Sequence, residues 1–172
     1  MSTIRSAGLL MYRRRGAAAE VLLAHPGGPF WTRRDDAAWT LPKGEIGPQE
    51  DPLAAARREF GEETGFDSTP PFVLLGEARQ KSGKRITAWA FEGDADPARL
   101  VSNTFELEWP PRSGRIQDFP EVDRVRWFGL DEARRKLIAG QVPFIDSLEQ
   151  WLADADREAV PAPAARGASP SR

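Results

Sequence analysis

At 172 residues the chain is about the size of one domain, and its 40% hydrophobic content is enough for a packed core. The net charge is −2, from 24 basic and 26 acidic side chains, so the chain lacks the broad positive field that nonspecific nucleic-acid binding needs. It has no cysteine and a single histidine, His25, which excludes a disulfide framework, a thiolate metal centre and a multi-histidine zinc cluster. Any metal ion must therefore be bound by oxygen ligands.

The N-terminal residues 1–12 contain an apolar stretch that is too short for a secretion signal and far too short to span a bilayer. We therefore expect a cytoplasmic protein with no membrane partner and no stable nucleic-acid partner. A nucleotide or polyphosphate ligand is compatible with the charge, because such a small molecule needs only a local basic pocket.

Two short apolar runs at 6–12 and 20–25 are separated by a polar connection and predict a pair of strands joined by a turn. Residues 26–38 follow with Pro-Gly-Gly-Pro, two aromatic residues and a charged run, which predicts a loop. Loops of this size often shape a binding site, and the alternative is a plain solvated insertion.

The clearest helix begins at Asp51, a good N-cap residue, with Pro52 in the first helical position, and ends at Thr64-Gly65. Further strands are predicted at 72–76, 85–91, 104–109 and 122–128, and further helices at 130–139 and 144–154. Residues 155–172 are rich in Ala, Pro, Ser and Gly, so we predict a domain over 1–154 followed by a disordered tail.

Three glutamates of the predicted helix, Glu59, Glu62 and Glu63, fall on one face beside an apolar stripe that includes Phe60. Like charges at these spacings repel by a few tenths of a kcal/mol per pair, so a helix built for stability alone would not gather them. A hard cation such as Mg²⁺ or Mn²⁺ reverses that penalty. The alternative is an ordinary solvated acidic face.

The spacing around these glutamates is specific. From Gly44 the chain runs through five residues to Glu50, then through seven to Arg58-Glu59-Phe60-Gly61-Glu62-Glu63-Thr64-Gly65-Phe66. This resembles the Nudix box, Gly-x5-Glu-x7-Arg-Glu-U-x-Glu-Glu-x-Gly-U, where U is apolar. Phe60 departs from the usual aliphatic residue, and we expect altered packing rather than altered chemistry. The resemblance implies an α/β fold, an α/β/α sandwich around a mixed sheet.

The resemblance also implies roles. Glu59, Glu62 and Glu63 would be catalytic and would bind Mg²⁺, with Mn²⁺ as a substitute, together with the backbone carbonyl near Gly44. Arg58 is expected to organise the loop by pairing with Glu50 rather than to contact substrate.

Two flanking segments resemble particular branches of the family. Pro42-Lys43-Gly44 looks like the branch that acts on polyphosphates, in which Lys43 would meet phosphate; the alternative is an exposed loop lysine. Glu121, six residues before Trp127, matches a segment of RNA pyrophosphohydrolase and polyphosphate members in which that glutamate binds metal or activates water. Trp39 is either a buried strand-end aromatic or a base-stacking platform.

Two basic loops supply further phosphate-binding candidates, Arg85 in the run 79–85 and Arg115 beside Arg112, although such charges are commonly only solvated. Members that cleave dinucleoside polyphosphates often use a tyrosine beyond the box, whereas the only tyrosine here is Tyr12.

The sequence therefore predicts a Mg²⁺-dependent pyrophosphohydrolase that cleaves a nucleoside diphosphate linked to another moiety, with dinucleoside polyphosphates as favoured substrates. Nucleotide sugars, oxidised nucleoside triphosphates and 5′-triphosphorylated RNA are the alternative substrates. A non-catalytic nucleotide-binding regulatory module is the alternative of another class, and a purely structural interaction protein is a third.

Overall fold

The computed structural model describes residues 3–160. Eight strands and three helices follow one another along this part of the chain: β1 Arg5–Arg15, β2 Ala18–Pro26, β3 Lys43–Glu45, α1 Pro52–Thr64, β4 Val73–Arg79, β5 Arg85–Glu92, β6 Thr104–Glu108, β7 Ile116–Pro120, β8 Val122–Gly129, α2 Leu130–Lys136 and α3 Val142–Ala159.

The main sheet has the order β4-β5-β1-β2-β8, with β3 paired to β1. The β1–β5 pair is parallel and the other pairs are antiparallel, so the predicted mixed sheet is confirmed. Strands β6 and β7 form a separate two-stranded hairpin. Helix α1 packs on one face of the main sheet and α2 and α3 lie on the other, each over its own buried apolar cluster, which confirms the predicted sandwich.

The sheet is split where β1 and β2 separate. The two strands pair only near their turn, from Tyr12 opposite Val21 to Arg15 opposite Ala18. Beyond that point the following segment fills the gap, because Thr40 bridges Ala24 and Lys43 lies opposite Gly8. A Cβ on Gly8 would fall 2.1 Å from a Leu41 methyl group, so this wedge requires glycine in β1. The split brings the segment before the Nudix-like box to the edge of a cleft.

Helix α1 begins and ends as the sequence predicts. The Asp51 side chain accepts a hydrogen bond from the Ala54 amide at 3.0 Å, and Gly65 ends the helix with φ of 73°. Phe60 is buried and meets Phe91 edge-on at 5.3 Å between ring centroids. Phe60, which stands where the motif usually has an aliphatic residue, thus packs in the core and not on the acidic face.

Several elements differ from the prediction. Helix α3 continues to Ala159, five residues into the segment assigned to the tail, because Ala-Asp-Arg-Glu-Ala is compatible with helix and continues the preceding pattern. Residues 161–172 lie outside the described part. Strands β3 and β7 were not predicted, and α2 is shorter than expected. Within residues 3–160 no helix is both long and apolar enough to cross a membrane.

Candidate active site

Arg58 links α1 to the loop that precedes it. Its Nε and Nη2 atoms donate to the two carboxylate oxygens of Glu50 at 2.7 and 2.9 Å, and Nη2 also donates to the carbonyl of Glu45 at 3.2 Å. The Gly47 amide donates to Glu50 as well, at 3.0 Å. Arg58 and this amide lower the pKa of Glu50 to about 2. The pair therefore has the geometry of a structural brace for residues 45–50.

Glu59 lies directly against the backbone of Gly44. A Cβ on residue 44 would be 2.0 Å from the carboxyl carbon of Glu59, so only glycine leaves room for the carboxylate. Arg58 also holds the acidic face together, since its Nη1 atom donates to Glu59 at 2.8 Å and to Glu62 at 3.3 Å. Box residues that are separated in sequence are thus brought into one contact group.

Glu63 is the most desolvated carboxylate of the group. Its Oε2 atom accepts a hydrogen bond from the Lys43 amide at 3.1 Å. Burial raises the pKa of Glu63 to about 8, with Glu59 and Glu121 adding to the rise while the Lys43 charge opposes it. Burial therefore favours the protonated form of this carboxyl group when no cation is bound.

Glu121 reaches the same cleft from the start of β8. It lines a small cleft together with Lys43, Glu63 and Thr40. Its backbone is fixed on both sides, since its amide donates to the Asn103 carbonyl at 2.8 Å and its carbonyl accepts from the Gly27 amide at 3.0 Å. Burial raises the pKa of Glu121, and the charges of Glu59 and Glu62 raise it further. Glu121 thus lines the cleft with Glu63 and interacts through charge with all three glutamates of the acidic face of α1.

Whether these residues suit a divalent cation follows from their donor chemistry. Within residues 3–160 no three His, Asp or Glu side chains are already gathered in metal-binding geometry, and Glu59 and Glu62 are bonded to Arg58 instead. The donors are nevertheless all oxygens, the missing side chain of Gly44 leaves room for the Glu59 carboxylate, and burial penalises the charge on Glu63. These features fit Mg²⁺ or Mn²⁺.

The base-stacking role for Trp39 is wrong. Its side chain is 1% exposed, its indole Nε1 donates to Asp35 at 2.8 Å, and its ring meets Phe128 edge-on at 5.0 Å. A ring that is enclosed by the core offers no face to a base. The alternative reading, a buried strand-end aromatic, describes its position.

The remaining substrate-binding candidates are separated by the fold. Lys43 lines the cleft beside Glu63. Arg85 lies next to Arg5, with strand β1 between it and β3, and its guanidinium pairs with Glu77 at 3.3 Å. The structure does not bring Arg85 to the cleft. Arg115 is exposed at the tip of the β6–β7 hairpin.

Sequence reasoning missed the side chains that fix the loop beside the cleft. His25 is fully buried, its Nε2 atom donates to the Arg34 carbonyl at 2.7 Å, and its Nδ1 atom lies 2.9 Å from Asp123. From the sequence, this histidine served only to exclude a multi-histidine zinc cluster. The β6–β7 hairpin was missed as well, although the turn signal Pro-Pro-Arg-Ser-Gly at 110–114 separates its strands.

A mixed-sheet sandwich whose acidic helix and lysine line one cleft places the chain among the hydrolases. The NUDIX domain family model matches residues 2–148, and the chain belongs to the Nudix hydrolase family.

Relatives with two kinds of name are similar to the chain. RNA pyrophosphohydrolase from Rhodospirillum rubrum is 32% identical over 92% of this chain and 96% of its own length. Bis(5′-nucleosyl)-tetraphosphatase [asymmetrical] from Rattus norvegicus is 29% identical over 76% of this chain and 82% of its own length. Both names describe hydrolases of phosphate anhydrides.

Solved structures agree on the fold. A binary complex of the C. elegans Ap4A hydrolase has a TM-score of 0.60 at 22% identity and covers 88% of this chain and 99% of that chain. The NUDIX domain of Shewanella oneidensis NrtR, complexed with ADP ribose, has a TM-score of 0.60 at 15% identity, covering 88% of this chain and 90% of that one. At these identities the likeness concerns the architecture alone.

Proposed function

We propose that the protein is a Mg²⁺-dependent pyrophosphohydrolase that cleaves a nucleoside diphosphate linked to another moiety, with dinucleoside polyphosphates as the favoured substrates. The observation that carries this proposal is the cleft in which Lys43 lies beside Glu63 and Glu121. A lysine among interacting carboxylates supplies positive charge for phosphate, while the carboxylates supply oxygen ligands for a cation.

The metal-binding residues of the proposal are Glu59, Glu62, Glu63 and the backbone carbonyl of Gly44. When bound, Mg²⁺ neutralises phosphate oxygens and lowers the pKa of a water molecule that attacks phosphorus in line. Glu63 would release its proton on binding the cation, since a ligating carboxylate must be ionised. Arg58 would keep its bidentate bond to Glu50 and give up Glu59 and Glu62, so the brace would survive the exchange.

Glu121 is the candidate that receives a proton from the attacking water. Its pKa is raised by burial and by neighbouring carboxylates, which makes it a better base than an ordinary glutamate. Its backbone bonds to Gly27 and Asn103 fix the start of β8, and so hold the carboxylate at the cleft. Lys43, which lines the same cleft, would oppose the negative charge of the phosphate chain.

A second candidate substrate is 5′-triphosphorylated RNA. The R. rubrum relative named RNA pyrophosphohydrolase matches nearly the whole chain, which favours this reading. The net charge of −2 favours the smaller substrate, because RNA beyond its first nucleotides needs a wider positive surface.

The test is a substrate panel with product analysis. Diadenosine tetraphosphate, a nucleotide sugar, an oxidised nucleoside triphosphate and 5′-triphosphorylated RNA are each incubated with Mg²⁺, with Mn²⁺ and with a chelator. We expect metal-dependent release of nucleotide, fastest from diadenosine tetraphosphate, and loss of that release in Glu62→Gln and Glu63→Gln.

The matched control is Glu158→Gln, which should retain full activity. Glu158 is exposed near the end of α3 and is distant in sequence from every residue of the cleft. Wild-type rates in both box variants would contradict the assignment of the site. Nucleotide binding without turnover under every metal condition would instead establish the regulatory-module reading.

A further inference from the structure

The β6–β7 hairpin has two chemically different faces. Phe105 is opposite Phe119, and Leu107 follows on the same side; all three are half-buried. The other face is exposed and acidic, with Glu106 opposite Asp118. An amphipathic pair of strands of this kind has one face suited to cover something apolar.

The apolar face of the hairpin meets the loop that follows β2. Gly28 has φ of 94°, and a Cβ there would lie 3.0 Å from the Phe105 ring, so the loop passes close to the hairpin. At the far end, Phe30 and Trp109 meet edge-on with ring centroids 5.4 Å apart. The Phe30 side chain is nevertheless 63% exposed. We call these two rings, Phe30 and Trp109, the aromatic clamp.

The two segments that carry the clamp residues, the loop after β2 and the β6–β7 hairpin, both begin beside the catalytic cleft. The Asn103 amide donates to the Glu62 carbonyl at 2.9 Å just before β6, and the Gly27 amide donates to the Glu121 carbonyl at 3.0 Å at the start of the loop. A five-residue strand extends about 16 Å at ~3.3 Å per residue, so the hairpin carries Trp109 outward from the cleft by roughly that length. The clamp is thus continuous with the site that would bind the phosphates.

The loop that carries Phe30 is held in place. His25 donates to the Arg34 carbonyl at 2.7 Å, and the Thr32 hydroxyl donates to the Gly28 carbonyl at 3.1 Å. Further along, the Lys136 ammonium donates to Asp36 at 2.9 Å. An exposed aromatic ring on a fixed loop offers contact area with little ordering cost on binding.

Four exposed arginines lie near the clamp residues in the chain. Arg33 and Arg34 extend from the loop, and Arg112 and Arg115 lie at the hairpin tip. None of the four forms an ion pair with another side chain among residues 3–160. Phe30 offers an exposed ring face on which a base can stack beside the half-buried Trp109, and arginine guanidinium groups can stack on a base as well or bind phosphate.

We infer that the aromatic clamp binds the nucleobase of a nucleotide substrate whose phosphates bind in the catalytic cleft. The inference rests on the proposed function, because it names the part of the molecule that recognises the substrate of that site. It also assigns a specificity role to two residues outside the box and outside the basic run at 79–85.

The test compares ligands with and without a base. ADP, GDP, UDP, CDP and inorganic pyrophosphate are titrated against the full chain by calorimetry. We expect at least one nucleoside diphosphate to bind more tightly than pyrophosphate. Phe30→Ala and Trp109→Ala should each weaken that nucleotide about tenfold, which is ~1.4 kcal/mol, and leave pyrophosphate binding unchanged.

Two further variants make the result specific. Trp109→Phe keeps an aromatic ring and should restore most of the affinity. Leu74→Ala is the control, because Leu74 is a similarly exposed apolar residue, 60% exposed, on the edge strand β4 at the opposite side of the sheet from β8. It should change neither affinity.

The inference is overturned if no nucleoside diphosphate binds better than pyrophosphate. It is also overturned if the two alanine variants bind nucleotide like wild type, or if they lose nucleotide and pyrophosphate equally. Failure of the proposed function has a different signature: clamp-dependent nucleotide binding would persist while every substrate of the panel stayed intact.

Discussion

Glu59 occupies the space where a side chain on residue 44 would be. A Cβ on Gly44 would lie 2.0 Å from the carboxyl carbon of Glu59, far inside any contact distance. The contact joins the strand before the box to the acidic face of α1, two parts of the motif that are distant in sequence. The glycine at the start of the motif is therefore needed because a side chain there would overlap Glu59, and not because of its backbone conformation.

We expect Gly44→Ala to lower kcat/KM at least ~100-fold, because the new methyl group displaces the Glu59 carboxylate by an ångström or more. Steady-state kinetics on the best substrate of the panel measures the loss, and a thermal melt reports any accompanying fall in stability. Gly129→Ala is the matched control, since a Cβ at that glycine has no neighbour within 4 Å and its φ of −61° suits alanine. A fully active Gly44→Ala enzyme would show that the Glu59 position is unimportant.

The Arg58–Glu50 brace predicts an acid-sensitive contribution to stability. Arg58 lowers the pKa of Glu50 from 4.5 to about 2, so the ionised carboxylate stabilises the fold fully above pH 4.5. That contribution is lost as the pH falls through the interval down to about 2. The free energy of unfolding of wild type should therefore exceed that of Glu50→Gln most at neutral pH, and the difference should shrink below pH 4.5. Urea titrations at several pH values measure it; a constant difference would contradict the brace.

The box could be predicted from sequence because its contacts are nearly local. The Asp51 cap, the acidic face of α1 and the Gly65 stop depend on residues within one helix, and the Glu50–Arg58 pair spans only a loop and two turns. The family pattern also identified Glu121, which reaches the cleft only through the pairing of β8 with β2. The family motif therefore predicted the position of a residue that local sequence patterns alone would not have placed at the cleft.

Other positions depend on contacts that no local pattern reports. Trp39 precedes the box in a segment whose burial is decided by packing on Phe128 and by a hydrogen bond to Asp35. The basic run that contains Arg85 reads as a phosphate site, but the parallel pairing of β5 with β1 places it away from β3. Strand β3 has only three residues and exists because β1 offers it an edge.

The contact of Lys136 with Asp35 and Asp36 should stabilise the fold at neutral pH, and its contribution should fall in both acid and alkali. Hydrogen bonds from Lys136 and Trp39 lower the pKa of Asp35, and hydrogen bonds to Asp35 and Asp36 raise the pKa of Lys136. The interaction therefore stabilises the fold at neutral pH. It is lost in acid, as the pH falls through the lowered pKa of Asp35, and in alkali, as it rises through the raised pKa of Lys136.

Lys136→Met removes the charge and keeps an unbranched side chain. We expect a lower Tm than wild type at pH 7 and a smaller difference at either extreme of pH. A Tm profile recorded from acid to alkaline pH checks this, with Lys84→Met, an exposed loop position, as the control. Equal Tm values for Lys136→Met and wild type at pH 7 would mean that the contact contributes nothing.

Glu121 is the residue for which catalysis and stability should separate most clearly. It is partly exposed, and its fixed position depends on backbone bonds to Gly27 and Asn103, which Glu121→Gln preserves. We expect Glu121→Gln to reduce kcat by ~100-fold or more, as for loss of a general base, while KM stays within a few fold. The Tm should rise or stay unchanged, because removing the charge relieves repulsion from Glu59 and Glu62. Kinetics and a thermal melt on the same preparation measure both kcat and Tm.

The control is Glu106→Gln, on the exposed face of the hairpin, which should match wild type in both kcat and Tm. If Glu121→Gln kept its kcat, the proton would have to be taken by another carboxylate of the cleft.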